Sequence, residues 1–333
     1  MFSYIVMRFL RLIPQIFLIS ILAFVIIQLP PGDYLTEHLN RLRSSGATLD
    51  PAEVARLTRM YGLDKPMHIQ YLKWITGIVT RFDFGYSFQW NKPVDEIITS
   101  RLGATFGIAL GTTIFVWVMA LPIGVFVAVK QYTAADYFFT FLGFIGLAVP
   151  GFLLALVLMY VAIARFHLQV GGLFSLDYQT AAWSWLKFVD LLKHLWLPIV
   201  ILGIGGTANL IRTMRATMLD ELRKQYVTVA RAKGLSEFQM LIRYPVRIAI
   251  NPLIATIGWL LPWFFSGGMI VEIVLNLPTA GPVLWHALIG QDMYTAGAYI
   301  MITGALTAIG SLVSDVMLGV IDPRIRFGRV EGL

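Results

Sequence analysis

Two acids fall inside long apolar runs of this 333-residue sequence, Glu272 near the end of one run and Asp315 within another. An ionisable group placed in the interior of a membrane is commonly part of an ion or proton relay. Two acids in separate runs form no cluster, however, and the runs are otherwise nearly uncharged. The five histidines (His38, His68, His167, His194 and His286) show no His-x-x-x-His spacing that would hold zinc. The sequence contains no cysteine, which excludes disulfides, thiolate metal sites and cysteine nucleophiles. No Gly-x-x-x-x-Gly-Lys-Ser/Thr loop is present to cradle ATP phosphates. No Ser-His-Asp or paired-carboxylate set can be assembled either. The residues thus assign the chain no catalytic group, no metal ligand and no cofactor.

A different chemistry, contact with a partner, suits residues 226–236. Tyr226-Val227-Thr228-Val229-Ala230-Arg231-Ala232 places small residues on a helix, and Gly234 stands where a helix can end in the left-handed conformation. Ser236 then suits the N-cap of a second helix beginning Glu237-Phe238-Gln239-Met240. The pattern predicts a helix, a sharp turn and a short helix, with Arg231 and Lys233 flanking the turn and offering charge to a partner. A loop that binds lipid headgroups would show the same basic character.

The elements that must carry this loop are read from composition. Hydrophobic residues make up 57% of the chain and charged residues only 14%, with a mean hydropathy of +0.73. A soluble domain carries about 25% charged residues, so the chain is expected to meet lipid. Apolar stretches near the ~20 residues that span a bilayer occur about six times, at 7–29, 104–129, 137–165, 191–212, 252–275 and 296–321. Strand-like alternation is absent, which predicts an all-α integral membrane protein of about six transmembrane helices. The first run follows Arg8 and Arg11 but lacks a small-x-small cleavage site, so it reads as a retained helix. Gly107, Gly111 and the group Gly203, Gly205, Gly206 would let helices approach closely. Asn209, Trp259, Trp263, Phe264 and Trp285, with Glu272, are candidates to line a pathway; the aromatic ones equally suit a membrane-interface belt.

Cation placement sets the expected orientation. Between Arg212 and Arg247 eight Lys or Arg face three acids, and the net charge is +7. Inner loops collect cations, which explains the charge without nucleic acid and predicts both termini in the cytoplasm. Residues 1–30 then form the first helix and 31–103 a small extracytoplasmic cap. Residues 104–322 form a five-helix core with a cytoplasmic loop at 213–251, and 323–333 a cytoplasmic tail. In the cap, Asp50, Pro51 and Glu53 predict a helix over 51–61, and a second amphipathic helix is expected over 67–79.

The loop residues Val229-Ala230-Arg231-Ala232-Lys233-Gly234-Leu235 resemble the inner-loop signature of ABC importer permeases, the "EAA" loop, in its dipeptide/oligopeptide/nickel form. Thr228 stands where the name-giving Glu would be, and Ala230 matches the second Ala. Pro252 is similar to the proline that opens the next span. Tyr61-Gly62-Leu63-Asp64-Lys65-Pro66, Gln70-Tyr71-Leu72-Lys73-Trp74, Asp83-Phe84-Gly85-Tyr86-Ser87, Thr279-Ala280-Gly281-Pro282 and Asp322-Pro323-Arg324-Ile325-Arg326 continue the likeness in order along the chain.

The resemblance implies a subunit that forms half of a translocation pathway in a bacterial or archaeal cytoplasmic membrane and is itself no enzyme. A second homologous permease would complete the pathway, and two cytoplasmic ATPase subunits would bind ATP and magnesium. They would grip Ala230, Arg231, Ala232, Lys233, Gly234, Leu235 and Ser236. An extracytoplasmic solute-binding protein would dock on the cap and on residues 276–292. The implied cargo is a di- or oligopeptide, with an oligosaccharide, opine or nickel chelate as alternatives. Against the resemblance stands a distant alternative function, an ion-coupled secondary carrier.

Overall fold

The computed structural model describes residues 2–28, 65–87, 89–168, 170–256, 263 and 268–321. Among the described residues the structure is all-α apart from one two-residue ladder. Helix α1 spans Phe2–Gln28 and α2 Met67–Arg81. Strands β1 (Tyr86–Ser87) and β2 (Lys92–Pro93) pair antiparallel, Tyr86 opposite Pro93. The ladder leads directly into α3, Val94–Val129. Helices α4 (Ala134–Ala148) and α5 (Gly151–Phe166) follow, then the short α6 (Leu176–Gln179) and the long α7 (Trp185–Leu222). Four short helices come next: α8 Gln225–Ala232, α9 Glu237–Arg243, α10 Pro245–Ala249 and α11 Asn251–Ala255. The chain closes with α12 (Met269–Val274), α13 (Ala280–Ile289) and α14 (Met293–Ile321). The helix expected over 51–61 and the tail lie outside the described residues.

Among the described residues four helices are long and apolar enough to cross a membrane: α1, α3, α7 and α14. The expected straight span over 137–165 is broken instead into α4 and α5, bent by 104°. The break has a local cause. A proline disfavours helical geometry in the residue before it, and Val149 is extended at φ −83°, ψ 122°, with Pro150 at φ −58°, ψ 133°. Prolines 14, 122 and 198 sit inside helices without such a break; Pro150 is followed by Gly151, a weak helix former. The run at 252–275 is described at its two ends, in α11 and α12.

Two boundaries differ from the expected ones. Helix α3 begins at Val94, ten residues before the apolar run, because its first turn carries Asp95 and Glu96, which the positive helix start favours. Helix α7 likewise extends from Trp185, capped by Ser184, whose hydroxyl accepts from the Lys187 N–H, to Leu222. Helices α3 and α7 pack along much of their length. A Cβ on Gly111 would lie 2.6 Å from Ile199, and one on Gly203 2.6 Å from Phe115, so both glycines permit the close approach. Gly107 faces open space. At one end the pair is locked by α4: Arg215 donates from Nε and Nη2 to the buried Asp136 carboxylate, both at 2.8 Å. Helix α1 packs on α14, where Arg8 pairs with Asp315 at 2.5 Å.

Candidate functional site

Residues 225–243 form the predicted helix, turn and helix. The turn is closed by a Schellman arrangement: the Gly234 N–H donates to the Arg231 carbonyl at 2.9 Å and the Leu235 N–H to the Ala230 carbonyl at 3.4 Å. Gly234 has φ +77°, the left-handed region, and a Cβ there would meet nothing within 4 Å. The requirement for glycine is therefore one of backbone conformation, not of space. Ser236 caps α9 by accepting from the Gln239 N–H.

The hairpin has a core of its own. Val227, Ala230 and Met240 are fully or almost fully buried, with Leu235, Tyr226 and Tyr244 packed around them. Ala230, expected on a contact surface, is thus turned inward, in one cluster with Met240 of the second helix. Arg231, Ala232, Lys233, Gly234 and Ser236 are exposed and Leu235 is half-buried. The Arg231 charge, expected to be offered to a partner, is engaged across the turn by Glu237, 2.8 Å from Nε.

Contacts at the hairpin base tie it to the long helices. The Tyr226 hydroxyl donates to the Glu221 carboxylate at the end of α7, and burial together with that carboxylate pushes the phenol pKa up. Ala249 and Leu253 pack against Met214 and Met218 of α7 and against α3, and the Thr217 hydroxyl donates to the Ala249 carbonyl at 3.1 Å. The hairpin base is therefore packed on α7 and α3 rather than joined to them by a slack loop.

Three residues outside the expected contact set of 230–236 stand on the hairpin surface. Val229, Phe238 and Ile242 are 51%, 74% and 52% exposed. Their signal in the sequence is the spacing of Phe238 and Ile242, one helical turn apart on a helix whose other side carries the buried Met240. Exposed aromatic and aliphatic side chains on a short, well-ordered lever suit contact with another protein.

The other candidates are dispersed. Asn209 is exposed and accepts from Arg212 at 3.1 Å. Trp263 and Trp285 are exposed; Trp259 and Phe264 lie outside the described residues. Glu272 is 3% exposed, and its carboxylate accepts from the Thr279 hydroxyl at 2.9 Å and from the Gly281 N–H, joining α12 to the start of α13. The same region is fastened to α3 by Thr105, whose hydroxyl accepts from the Ala280 N–H at 2.9 Å. A further joint lies between Ser87 of β1 and Asp292, which also accepts from the Thr295 hydroxyl at 2.9 Å. Among the described residues no group of three or more His, Cys, Asp or Glu could hold a metal ion.

Comparison with known proteins gives a consistent result over the full length. The family described as "binding-protein-dependent transport system inner membrane component" matches residues 120–327, and the N-terminal family that goes with it matches residues 1–109. The oligopeptide transport system permease protein AppB of Bacillus subtilis is 33% identical over 329 residues, covering 98% of this chain and all of its own. A putative peptide permease protein of Brucella suis is 33% identical over 327 residues, 98% and 99% of the two chains. The dipeptide transport system permease protein DppB of Escherichia coli is 28% identical over 342 residues, again 98% and 99%.

Proposed function

The chain belongs to the family of binding-protein-dependent transport system inner membrane components, and on that premise we propose that its 225–243 hairpin is where cytoplasmic ATPase subunits drive the transport of a di- or oligopeptide. It is a multi-pass membrane permease subunit of an ABC importer, a transport subunit rather than an ATPase. Nucleotide and its magnesium are held by two partner subunits, a second permease completes the pathway, and an external binding protein delivers cargo. The peptide assignment follows the names of the relatives, which are oligopeptide and dipeptide permeases.

In this reading the chain crosses the membrane six times with both termini inside. Contacts sort to two ends in a way that supports it. Asp136–Arg215, Arg8–Asp315 and the hydrogen bond from Ser314 to the Ile254 carbonyl share the hairpin end. Thr105–Ala280, Ser87–Asp292 and the 2.8 Å bond from the Gly172 N–H to the Leu275 carbonyl share the other. The bent pair α4 and α5 still carries the chain from the first end to the second.

The observation that carries the coupling role is a rigid hairpin presenting Val229, Phe238 and Ile242 outward while its base is packed on α7 and α3. Closure of the ATPase subunits moves such a hairpin as a lever, and packed helices respond by switching between discrete arrangements. The test is co-purification from the native membrane with the ATPase subunits. Phe238→Asp with Ile242→Asp is expected to lose those subunits and all associated ATP hydrolysis while the chain remains in the membrane. Undiminished retention of the ATPase subunits by the double variant would refute the assignment.

A further inference from the structure

At the end of the bundle away from the hairpin, a cavity of about 390 Å³ opens between the start of α3, residues 172–179 and residues 276–286. That is within the size range of small-molecule sites. Its polar lining includes Arg101, Gln179, Asn276 and His286, its aromatic lining Trp90 and Phe174, and no acid lines it among the described residues. Of the acids nearby, Glu272 directs its oxygens to Thr279 and Asp190 to Ser175, and Asp95, Glu96 and Asp177 are not among the lining residues. The Arg101 Nε is buried with no hydrogen-bond acceptor among the described residues. A guanidinium is always charged and has no acceptor capacity of its own, so such a buried donor favours an acceptor that enters the cavity. A second cation stands behind the aromatic wall: Lys187 is 7% exposed, with Nζ 4.8 Å from the Phe174 ring centre.

The walls are held in place before anything binds. Thr105 donates to the Arg101 carbonyl at 2.9 Å and accepts from Ala280 at 2.9 Å, which fixes Arg101 one helical turn from the joint between α3 and α13. The facing wall is tied by the bond from Gly172 to Leu275, and Gly172 has φ +72°, a conformation that favours glycine. A site with little left to order on binding loses less affinity to that ordering.

We propose that this cavity is a carboxylate-binding subsite for the cargo, in which the Arg101 guanidinium receives the free C-terminal carboxylate of a short peptide. The planar fork of the guanidinium matches a carboxylate, and Trp90 and Phe174 offer apolar surface to the terminal side chain. The proposal rests on the permease reading and adds the chemical group that is recognised.

The experiment uses the assembled transporter in lipid nanodiscs, without the external binding protein, and measures saturable binding of radiolabelled alanylphenylalanine and of its C-terminal amide. The wild type is expected to prefer the free acid by roughly tenfold to a hundredfold, the range of a charge-assisted hydrogen bond. Arg101→Met is expected to bind acid and amide alike, and Arg101→Lys to recover part of the preference. Equal preference for the acid in the wild type and in Arg101→Met would overturn the proposal. So would a wild type that binds neither compound, even if Arg101→Met weakened docking of the binding protein, since the carboxylate would then come from that protein. Retention of the ATPase subunits, scored in the same preparations, tests the permease reading separately.

Discussion

Gly234 stands at φ +77° with open space beyond its Cα, so the effect of replacing it is set by backbone strain. An L residue in that region costs about 1–2 kcal/mol, a factor of roughly 5–30 in the population of the formed turn. Gly234→Asp is accordingly expected to lower uptake by about that factor while ATP hydrolysis continues, because the ATPase subunits still bind a lever that no longer holds its angle. Parallel assays of uptake and hydrolysis in vesicles check this, and normal uptake would count against the lever. Arg231 behaves differently. Its pair with Glu237 is 49% and 62% exposed, and exposed pairs contribute about 0–1 kcal/mol, so Arg231→Ala should leave the melting temperature nearly unchanged.

The elements are fastened to one another by a few buried polar joints, and these differ in how they fail. Asp136 is 4% exposed in its side chain and Arg215 28%. Arg215→Met leaves the carboxylate buried and unpaired, a loss of about 3 kcal/mol, the lower part of the range for broken buried pairs because the guanidinium is partly solvated. Adding Asp136→Asn should recover much of that loss in thermal melts. Asp292 sets a pH dependence. Burial raises its carboxyl pKa against the hydrogen bonds from Ser87 and Thr295, which lower it. A raised folded value means that the folded state holds the proton more tightly. The resulting stability is fully present below about pH 4, the unfolded value, and is lost as pH rises through the folded one. Melts from pH 4 upward should show this decline in the wild type and a flatter profile in Asp292→Asn.

For the molecule as a whole, the separation of the hairpin from the cavity is what makes a transporter of the bundle. Arg101 and Ala128 are both on α3, and 27 residues of helix at 1.5 Å each span about 40 Å, the thickness of a bilayer with its headgroups. One end then suits the proposed ATPase contact and the other the proposed cargo site. The absence of cysteine from the sequence makes this directly testable. Lys233→Cys and Thr180→Cys, both at exposed positions, should react with a membrane-impermeant maleimide from opposite sides. Thr180→Cys should be labelled in intact cells and Lys233→Cys only after permeabilisation; the reverse pattern would invert the orientation.

Apolar runs of spanning length and a charge-poor composition determine a helical membrane protein without reference to tertiary structure, because lipid leaves the backbone few other ways to satisfy its hydrogen bonds. The hairpin was legible for a similar reason: Gly234 and Ser236 act through local backbone geometry, which a sequence states directly. What lies between distant residues was not legible. Val149, Pro150 and Gly151 are plain in the sequence and give the 104° bend between α4 and α5 its local cause, but prolines 14, 122 and 198 leave their helices unbroken, so a proline inside an apolar run does not by itself mark a break. Ala230 belongs to the inner-loop motif in the sequence and to a buried core in space, because only the fold brings Met240 against it. Arg101 reads as one cation in a polar stretch; it becomes a candidate recognition group because α3, the 172–179 segment and the 276–286 segment meet around it and none of the acids they carry lines the cavity.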